Sequence, residues 1–415
     1  MIRDIERIIT LIYVLSKNGQ PIMPTTNCRK VRLLLKSQKA KVVRRTPFTI
    51  QLLETNKTYV QPITLGVDAG SKHVGLSATT KKQELFTAEL RPRDDVSKLL
   101  AVRKELRRAR RHRTTRYRKP RYNNRSATRK SGWLPPSIRV KIWNHIQGIK
   151  YIIKLLPIST IRVETAEFST AEMYIGMKST KSKYNIHQYV LFRDNYTCRY
   201  CGKSQHDGVK FHVHHIESRQ TGGNSPANLI TLCVDCHHKY HAGKINLSKS
   251  RFGNPNKHST FMGVMRKSLL NYLHNNIKGV LLQETYGYVT KYYRDLYKMP
   301  KTHINDAFVI SGNFEASRLF KTMLMLPKRS HNRQIHKCKI NKGGTRKLNQ
   351  APKFMFGYQL FDKVIYKNKE CFIFGRRSSG SFDLRRLDGE KISAGTSYKK
   401  LNRILYRKSL LVDFN

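Results

Sequence analysis

Two CxxC pairs, Cys198 with Cys201 and Cys233 with Cys236, bracket the segment HVHHIESRQTGGNSPANLITL. Four thiolates in two such pairs suit a tetrahedral, structural zinc ion. The 31 residues between the pairs exceed a plain zinc ribbon, so a second chemistry is threaded through the knot. Adjacent residues of a strand face opposite sides, so His214 and His215 cannot both bind one ion without distortion. One imidazole is expected to hold a divalent ion and the other, titrating near neutrality, to take a proton from water. A Gly-Gly-Asn turn is expected to reverse the chain, with Asn228 on the returning strand and a helix from about Cys236. That helix places His237 and His241 on one face. The blander reading is a zinc-binding DNA module whose histidines only complete the knot, but such a knot has no use for Asn228 and the extra imidazoles.

A second set of groups is scattered. Asp68 ends the strand in QPITLGVDAGSKHVGLSATT and precedes a glycine turn at Gly70, Glu164 ends the strand in ISTIRVETAEF, and Asp306 lies in the helix of HINDAFVIS. His303 falls one helical turn before Asp306 on the same face. Hydrolysis of a phosphodiester by two metal ions needs several anionic oxygens to hold the ions against their own repulsion. Each acid alone reads as an ordinary surface residue. Together, in a chain with only 26 acids, they end or occupy apolar elements in the order strand, strand, helix.

Those elements belong to a chain of 415 residues with 39% hydrophobic content, long enough for several buried cores. Its 81 Lys and Arg give a formal charge of +55, which points to a phosphate-rich partner, nucleic acid first. A membrane partner is disfavoured, because no stretch approaches the roughly eighteen apolar residues that a span requires. The run IITLIYVL has acids upstream and no small-residue cleavage site after it, so it reads as a strand of a cytoplasmic protein and not as a signal peptide. Seven cysteines, four of them in CxxC pairs, favour metal binding over disulfides.

The opening residues read as a small basic α/β unit. Residues 94–119 contain no Pro or Gly and are expected to form one long helix stopping at Pro120. Leu99, Val102, Leu106 and Ala109 form a narrow stripe on it, and Arg103, Arg107, Arg110, Arg111 and Arg113 cover much of the rest. A second, amphipathic helix runs from 136 to 156, and helix, strand and helix follow the cysteine module. The last ninety residues alternate in short runs broken by Gly, Asn and Asp, as in a small antiparallel barrel.

The order His-His, Asn, His resembles the HNH nucleases, with their ββα-metal fold. That resemblance implies Mg²⁺ or Mn²⁺ held by His214 and His237, His215 as general base, Asn228 orienting its strand, and His241 as a further group beside the metal. GVDAGSKHVGLS, IRVE and HINDAFVIS resemble the split motifs of RuvC-type nucleases, which assigns Asp68, Glu164 and Asp306 to a Mg²⁺ site and His303 to catalysis. With the arginine-rich helix between them, and with IYVLSKNGQPIMPTT and FGRRSSGSFDLRRLDG at the two ends, nearly the whole chain resembles the IscB family, compact relatives of type II CRISPR effectors. It departs in PIMP for PLMP, in Ala69 where proline is common, and in a charged extension, residues 1–10.

The fold implied is α/β and multidomain: an RNase H-like core split by a bridge helix and an inserted HNH domain, with a C-terminal barrel. Its parts are an N-terminal domain (1–60), three core segments (61–93, 131–180 and 256–325), the bridge helix (94–130), the HNH domain with its four-cysteine zinc knot (181–255) and a target-adjacent-motif-interacting β domain (326–415). The function implied is RNA-guided cleavage of double-stranded DNA by a monomer within a ribonucleoprotein, in the cytoplasm of a prokaryote at the nucleoid. Base pairing reads the sequence and the protein grips the backbone. Little chain separates the bridge helix from the Glu164 strand, so a structured RNA must supply much of the scaffold. Two alternatives stand beside this: a guide-independent HNH endonuclease, and a nucleic-acid-binding protein that does not cut.

Replacing Arg103, Arg107, Arg110 and Arg111 with Ala is expected to abolish RNA retention. It should also lower the salt slope of RNA binding by roughly one unit for each phosphate no longer neutralised, slightly less for single strands. Filter binding across a salt series reads both effects, and an unchanged slope identifies a merely solvated face.

Overall fold

The computed structural model describes the chain apart from residues 1–10, 55–58, 112–132, 166–189, 192–193, 195, 205–206, 219–227, 248–256, 320, 330–351 and 415. The chain divides into two compact units. The first comprises residues 1–163, 277–283 and 290–415, and the second 164–276 and 284–289. No described helix is long and apolar enough to cross a membrane.

The first unit begins with β1 (Ile12–Leu15), β2 (Pro21–Thr25), α1 (Cys28–Lys36), β3 (Ala40–Arg44) and β4 (Thr49–Leu52), whose strands form a four-stranded sheet in the order β2-β1-β4-β3. Asn27 caps α1 by accepting from the Lys30 N–H at 2.8 Å. Ile12, Val14, Val31 and Ile50 close the small core, as the expected α/β unit requires.

A seven-stranded sheet follows, built on β5 (Thr64–Asp68), β6 (Val74–Thr79) and β7 (Glu84–Leu90), an antiparallel meander. β8 (Thr160–Thr165) runs parallel to β5, with Val163 beside Val67. β5, β6 and β7 are buried almost end to end, because helices cover both faces. On one face α3 (Pro136–Ile153) brings Gly148 against Leu76 and Leu90. On the other lies α7 (His303–Ser311). Residues 66 and 68 of β5 and their partners 77 and 75 of β6 face α7, and two of these four are glycines. A Cβ on Gly66 would stand 2.0 Å from the Ala307 carbonyl oxygen, and one on Gly75 would stand 1.7 Å from that of His303. Only hydrogen fits at either position.

α2 (Val96–Arg111) carries the arginine-rich sequence. Its expected continuation to 119, with Arg113, lies outside the described residues. Arg103 and Arg107 are exposed, as expected, but so is Val102 at 44%, whereas Leu99 and Leu106 are half-buried; the side chains of Ala109, Arg110 and Arg111 lie outside the described ones. The helix is therefore more open to solvent than its pattern suggested.

The second unit holds the hairpin of β9 (Phe211–His215) and β10 (Leu229–Cys233), then α4 (Val234–His241) and α5 (Lys257–Asn276). β11 (Leu281–Tyr286) joins the seven-stranded sheet beside β8. The expected helix, strand, helix after the cysteine module gains a member, α6 (Gly287–Leu296), before α7. β12 (Met323–Pro327) pairs in parallel with β7.

At the C-terminus β13 (Lys363–Tyr366), β14 (Lys369–Arg376), β15 (Ser381–Arg385), β16 (Lys391–Ser397) and β17 (Asn402–Leu405) form a five-stranded antiparallel sheet in the order β16-β15-β14-β13-β17. The final strand, β18 (Leu410–Phe414), returns to the seven-stranded sheet beside β12.

Gly75→Ala is expected to lift α7 off the sheet and to destabilise the first unit by about 1–3 kcal/mol or more, because backbone and not a yielding side chain stands in the way. A lower thermal midpoint, measured against wild type at one salt concentration, is the readout.

Candidate nuclease centres

The second unit assembles the cysteine and histidine groups. The four Sγ atoms of Cys198, Cys201, Cys233 and Cys236 lie within 4.8 Å of one another. Cys201 and Cys233 are 3.6 Å apart, close to the separation of about 3.8 Å that thiolates take around a tetrahedral ion with bonds near 2.3 Å. The residues thus fit zinc. Burial alone would raise the Cys198 thiol, but backbone N–H groups of Cys201, Cys233 and Tyr200 bring it down to about 7, where the thiolate forms readily. Cys233 also caps α4, its Sγ accepting from the Cys236 N–H at 3.5 Å. The helix accordingly starts two residues before Cys236.

One face of the hairpin and of α4 gathers imidazoles. His214, His237 and His241 each offer a nitrogen within 4.8 Å of the others. His214 is buried, and its Nε2 has no hydrogen-bond partner, as a nitrogen aimed at an ion would not. Burial first, then the neighbouring His237, His241 and His215, depress its pKa to about 4; burial and His241 also lower that of His237. Both rings therefore keep free lone pairs at neutral pH. Three nitrogens fit a divalent ion, but they suit a first-row transition ion better than Mg²⁺, which prefers oxygen. Of the Mg²⁺ or Mn²⁺ expected at His214 and His237, the nitrogen donors suit Mn²⁺ better.

His215 is half-buried at the end of β9, opposite Leu229. Asn228 stands one residue ahead of β10, and not on it as expected. Its Oδ1 accepts from the Glu217 N–H at 2.7 Å, its Nδ2 donates to the Glu217 carbonyl at 3.0 Å, and its own carbonyl accepts from the Ile216 N–H. The side chain thus replaces a missing rung of the ladder just beyond His215.

Of the acidic groups, Asp68 and Asp306 lie in the first unit with His303, and Glu164 lies in the second; no cluster of the three acids within ligand distance is found among the described residues. Asp68 is 7% exposed, and its Oδ2 is 2.5 Å from Nδ1 of His303, a contact that holds the imidazole pKa above its usual value. Thr302 caps α7 by accepting from the Asn305 N–H. At the far end Arg162 donates to the carbonyls of Ile310 and Ser311, and Gly312 takes the left-handed conformation at φ 78°. Asp306, also buried, accepts from Nη1 of Arg294 at 2.8 Å. Carboxylates with water suit Mg²⁺ or Mn²⁺. Glu164 follows Val163 on β8, as Asp68 follows Val67 on β5, and Arg266 stands 3.4 Å from its Oε1. The guanidinium partners of Asp306 and Glu164 had no signal in the sequence: Arg266 and Arg294 are two cations among 81.

Comparison with known proteins meets these constellations at two places. A family described as RRXRR protein matches residues 12–185, and the HNH endonuclease family matches residues 198–243, the cysteine and histidine module. At these two places the chain is similar to the arginine-rich and HNH parts of IscB/Cas9-type nucleases. No curated protein matches the chain. Two solved structures of Cas9 from Streptococcus thermophilus, in complex with the AGAA and the GGAA PAM, overlap 51% of this chain at 14% and 15% identity, with TM-scores of 0.25 and 0.26. Overlap that loose fixes neither fold nor function, and the chain covers only 31% of the length of either Cas9.

For this IscB/Cas9-like chain, one tightly bound zinc per polypeptide is expected from elemental analysis after extensive dialysis. Cys201→Ser should lose that zinc and loosen the hairpin. A zinc-free wild type that keeps its fold would overturn the four-thiolate knot.

Proposed function

We propose that the chain is an RNA-guided endonuclease that cuts both strands of a DNA duplex. The observation that supports this reading is that one polypeptide carries two chemically distinct sets of side chains of the kinds that phosphodiester hydrolysis uses. One is imidazole-rich, on a hairpin and helix (His214, His215, Asn228, His237, His241). The other is acidic, on a sheet and helix of the first unit (Asp68 with His303, and Asp306), to which the resemblance alone adds Glu164. A guide-independent HNH nuclease needs only the first, and a binding protein needs neither.

In the HNH centre the ring of His215 lies on the side of β9 opposite His214 and accepts the proton of the attacking water. The Asn228 clamp on Glu217 holds the end of that strand in register. His214, His237 and His241 present nitrogens to a divalent ion, which when bound supplies positive charge against the phosphate. This centre cuts the guide-paired strand.

The carboxylate centre is of the RuvC type and cuts the displaced strand. By the resemblance, Asp68 and Asp306, with Glu164, would present oxygens to Mg²⁺ or Mn²⁺, and His303, raised in pKa by Asp68, would carry a proton at Nδ1 beside the reacting phosphate. Asp306 offers both oxygens only when Arg294 releases one of them. The exposed Arg103 and Arg107 of α2 grip the RNA backbone, for which the planar guanidinium is suited. The C-terminal β domain, with its basic loops, contacts the duplex beside the target.

His215→Ala should leave a nickase that cuts only the displaced strand, and Asp68→Ala the opposite nickase. Strand-specific end labels on a denaturing gel decide the matter. If either single variant still cuts both strands, the division of labour is wrong.

A further inference from the structure

The inner face of α3 carries Ile142, Ile146, Ile149 and Ile152, and into this apolar stripe the sequence sets a histidine, His145, only 1% exposed. A buried imidazole is costly unless its nitrogens are bonded. Here both face carbonyl oxygens: Nδ1 is 2.7 Å from that of Lys141, one turn back on α3, and Nε2 is 3.0 Å from that of Gly70. The two acceptors are not equivalent. The Lys141 carbonyl already has the helical N–H of residue 145 as partner. The Gly70 carbonyl lies in the turn between β5 and β6, outside any ladder. A ring protonated on Nε2 donates to Gly70, the carbonyl that has no ladder partner to replace it.

That turn begins at Asp68. Its middle is too tight for a side chain, since a Cβ on Gly70 would stand 2.0 Å from the His73 carbonyl oxygen and 3.6 Å from the His303 ring. Its far end bears His73, bonded to Glu89 and stacked on His303 with ring centres 5.5 Å apart at 10°. The turn thus touches both partners of the Asp68–His303 contact.

We propose that His145 is a positioning residue for the carboxylate centre: by donating from Nε2 to the Gly70 carbonyl, it fixes from the opposite face of the sheet the turn that aims Asp68 and seats His303. The inference rests on the reading above, in which Asp68 belongs to a nuclease centre.

The two amide side chains separate this role from simple core packing. The amide of His145→Gln reaches about as far as Nε2 and can still donate to Gly70, whereas that of His145→Asn reaches only about as far as Nδ1. His145→Phe fills the space and donates nothing. Each variant is purified with its co-purifying RNA and assayed on a duplex matching that RNA, with each strand labelled separately. The Asn and Phe variants should lose displaced-strand cutting by roughly 10²-fold, the order expected of a misplaced reacting group, while guide-paired-strand cutting stays within about twofold. The Gln variant should retain most of both.

Hydrogen–deuterium exchange of a peptide spanning residues 64–79 supplies a readout independent of cleavage. Exchange in the turn should quicken in the Asn and Phe variants and stay near wild type in the Gln variant. Equal behaviour of the Gln and Asn variants, in either direction, overturns the proposal. A wild type that never cuts the displaced strand overturns the nuclease reading instead, and the exchange data still judge the turn.

Discussion

The close approach of one helix to one sheet governs the larger centre. With hydrogen in place of a side chain at Gly66 and Gly75, the backbone of α7 rests against β5 and β6 closely enough for its first residue to reach the carboxylate at the end of β5. A methyl group at either position would push the helix outward by more than the reach of a hydrogen bond allows. The remaining contacts depend on that seat: Thr302 and Arg162 complete the two ends of α7, and Asp306 meets Arg294 only because the helix lies where it does.

The second unit solves a smaller problem by different means. Its core contains Cys198, Cys233, Cys236, Ile230 and Leu232, so three of the four cysteines that could hold an ion are also core residues. With so little apolar surface to bury, a hairpin and a two-turn helix need a cross-link to hold the imidazoles in place. Cys233 serves three purposes there, as the last residue of β10, the cap of α4 and a member of the thiolate cluster.

Charge sets the background. In a chain of +55, an acid that is buried has been placed against a specific cation or donor. Glu84, 2% exposed, is held by Arg318, Ser77 and the Leu319 N–H; Asp413 meets the buried Lys363, which also reaches Thr46. Asp306 and Glu164 belong to the same pattern, each meeting an arginine. The difference is chemical: at these two positions the arginine occupies an oxygen that a divalent ion would take in the nuclease reading.

The sequence by itself determined the local chemistry. CxxC spacing, adjacent histidines on a strand, and i to i+4 histidines on a helix are geometric statements that period 2 and period 3.6 make without tertiary help, and the thiolate and imidazole clusters form where those periods put them. The strands carrying Asp68 and Glu164 near their ends and the helix from His303 were legible for the same reason. Tertiary structure alone decided which distant groups meet. Arg294 on Asp306, Arg266 on Glu164 and His145 on Gly70 join residues 12, 102 and 75 positions apart, through helices whose periodicity says which face is apolar but not which element covers it. The exposure of Val102 has the same origin: a stripe is written in the sequence, but its burial requires a partner surface, and that surface is a property of the assembled fold.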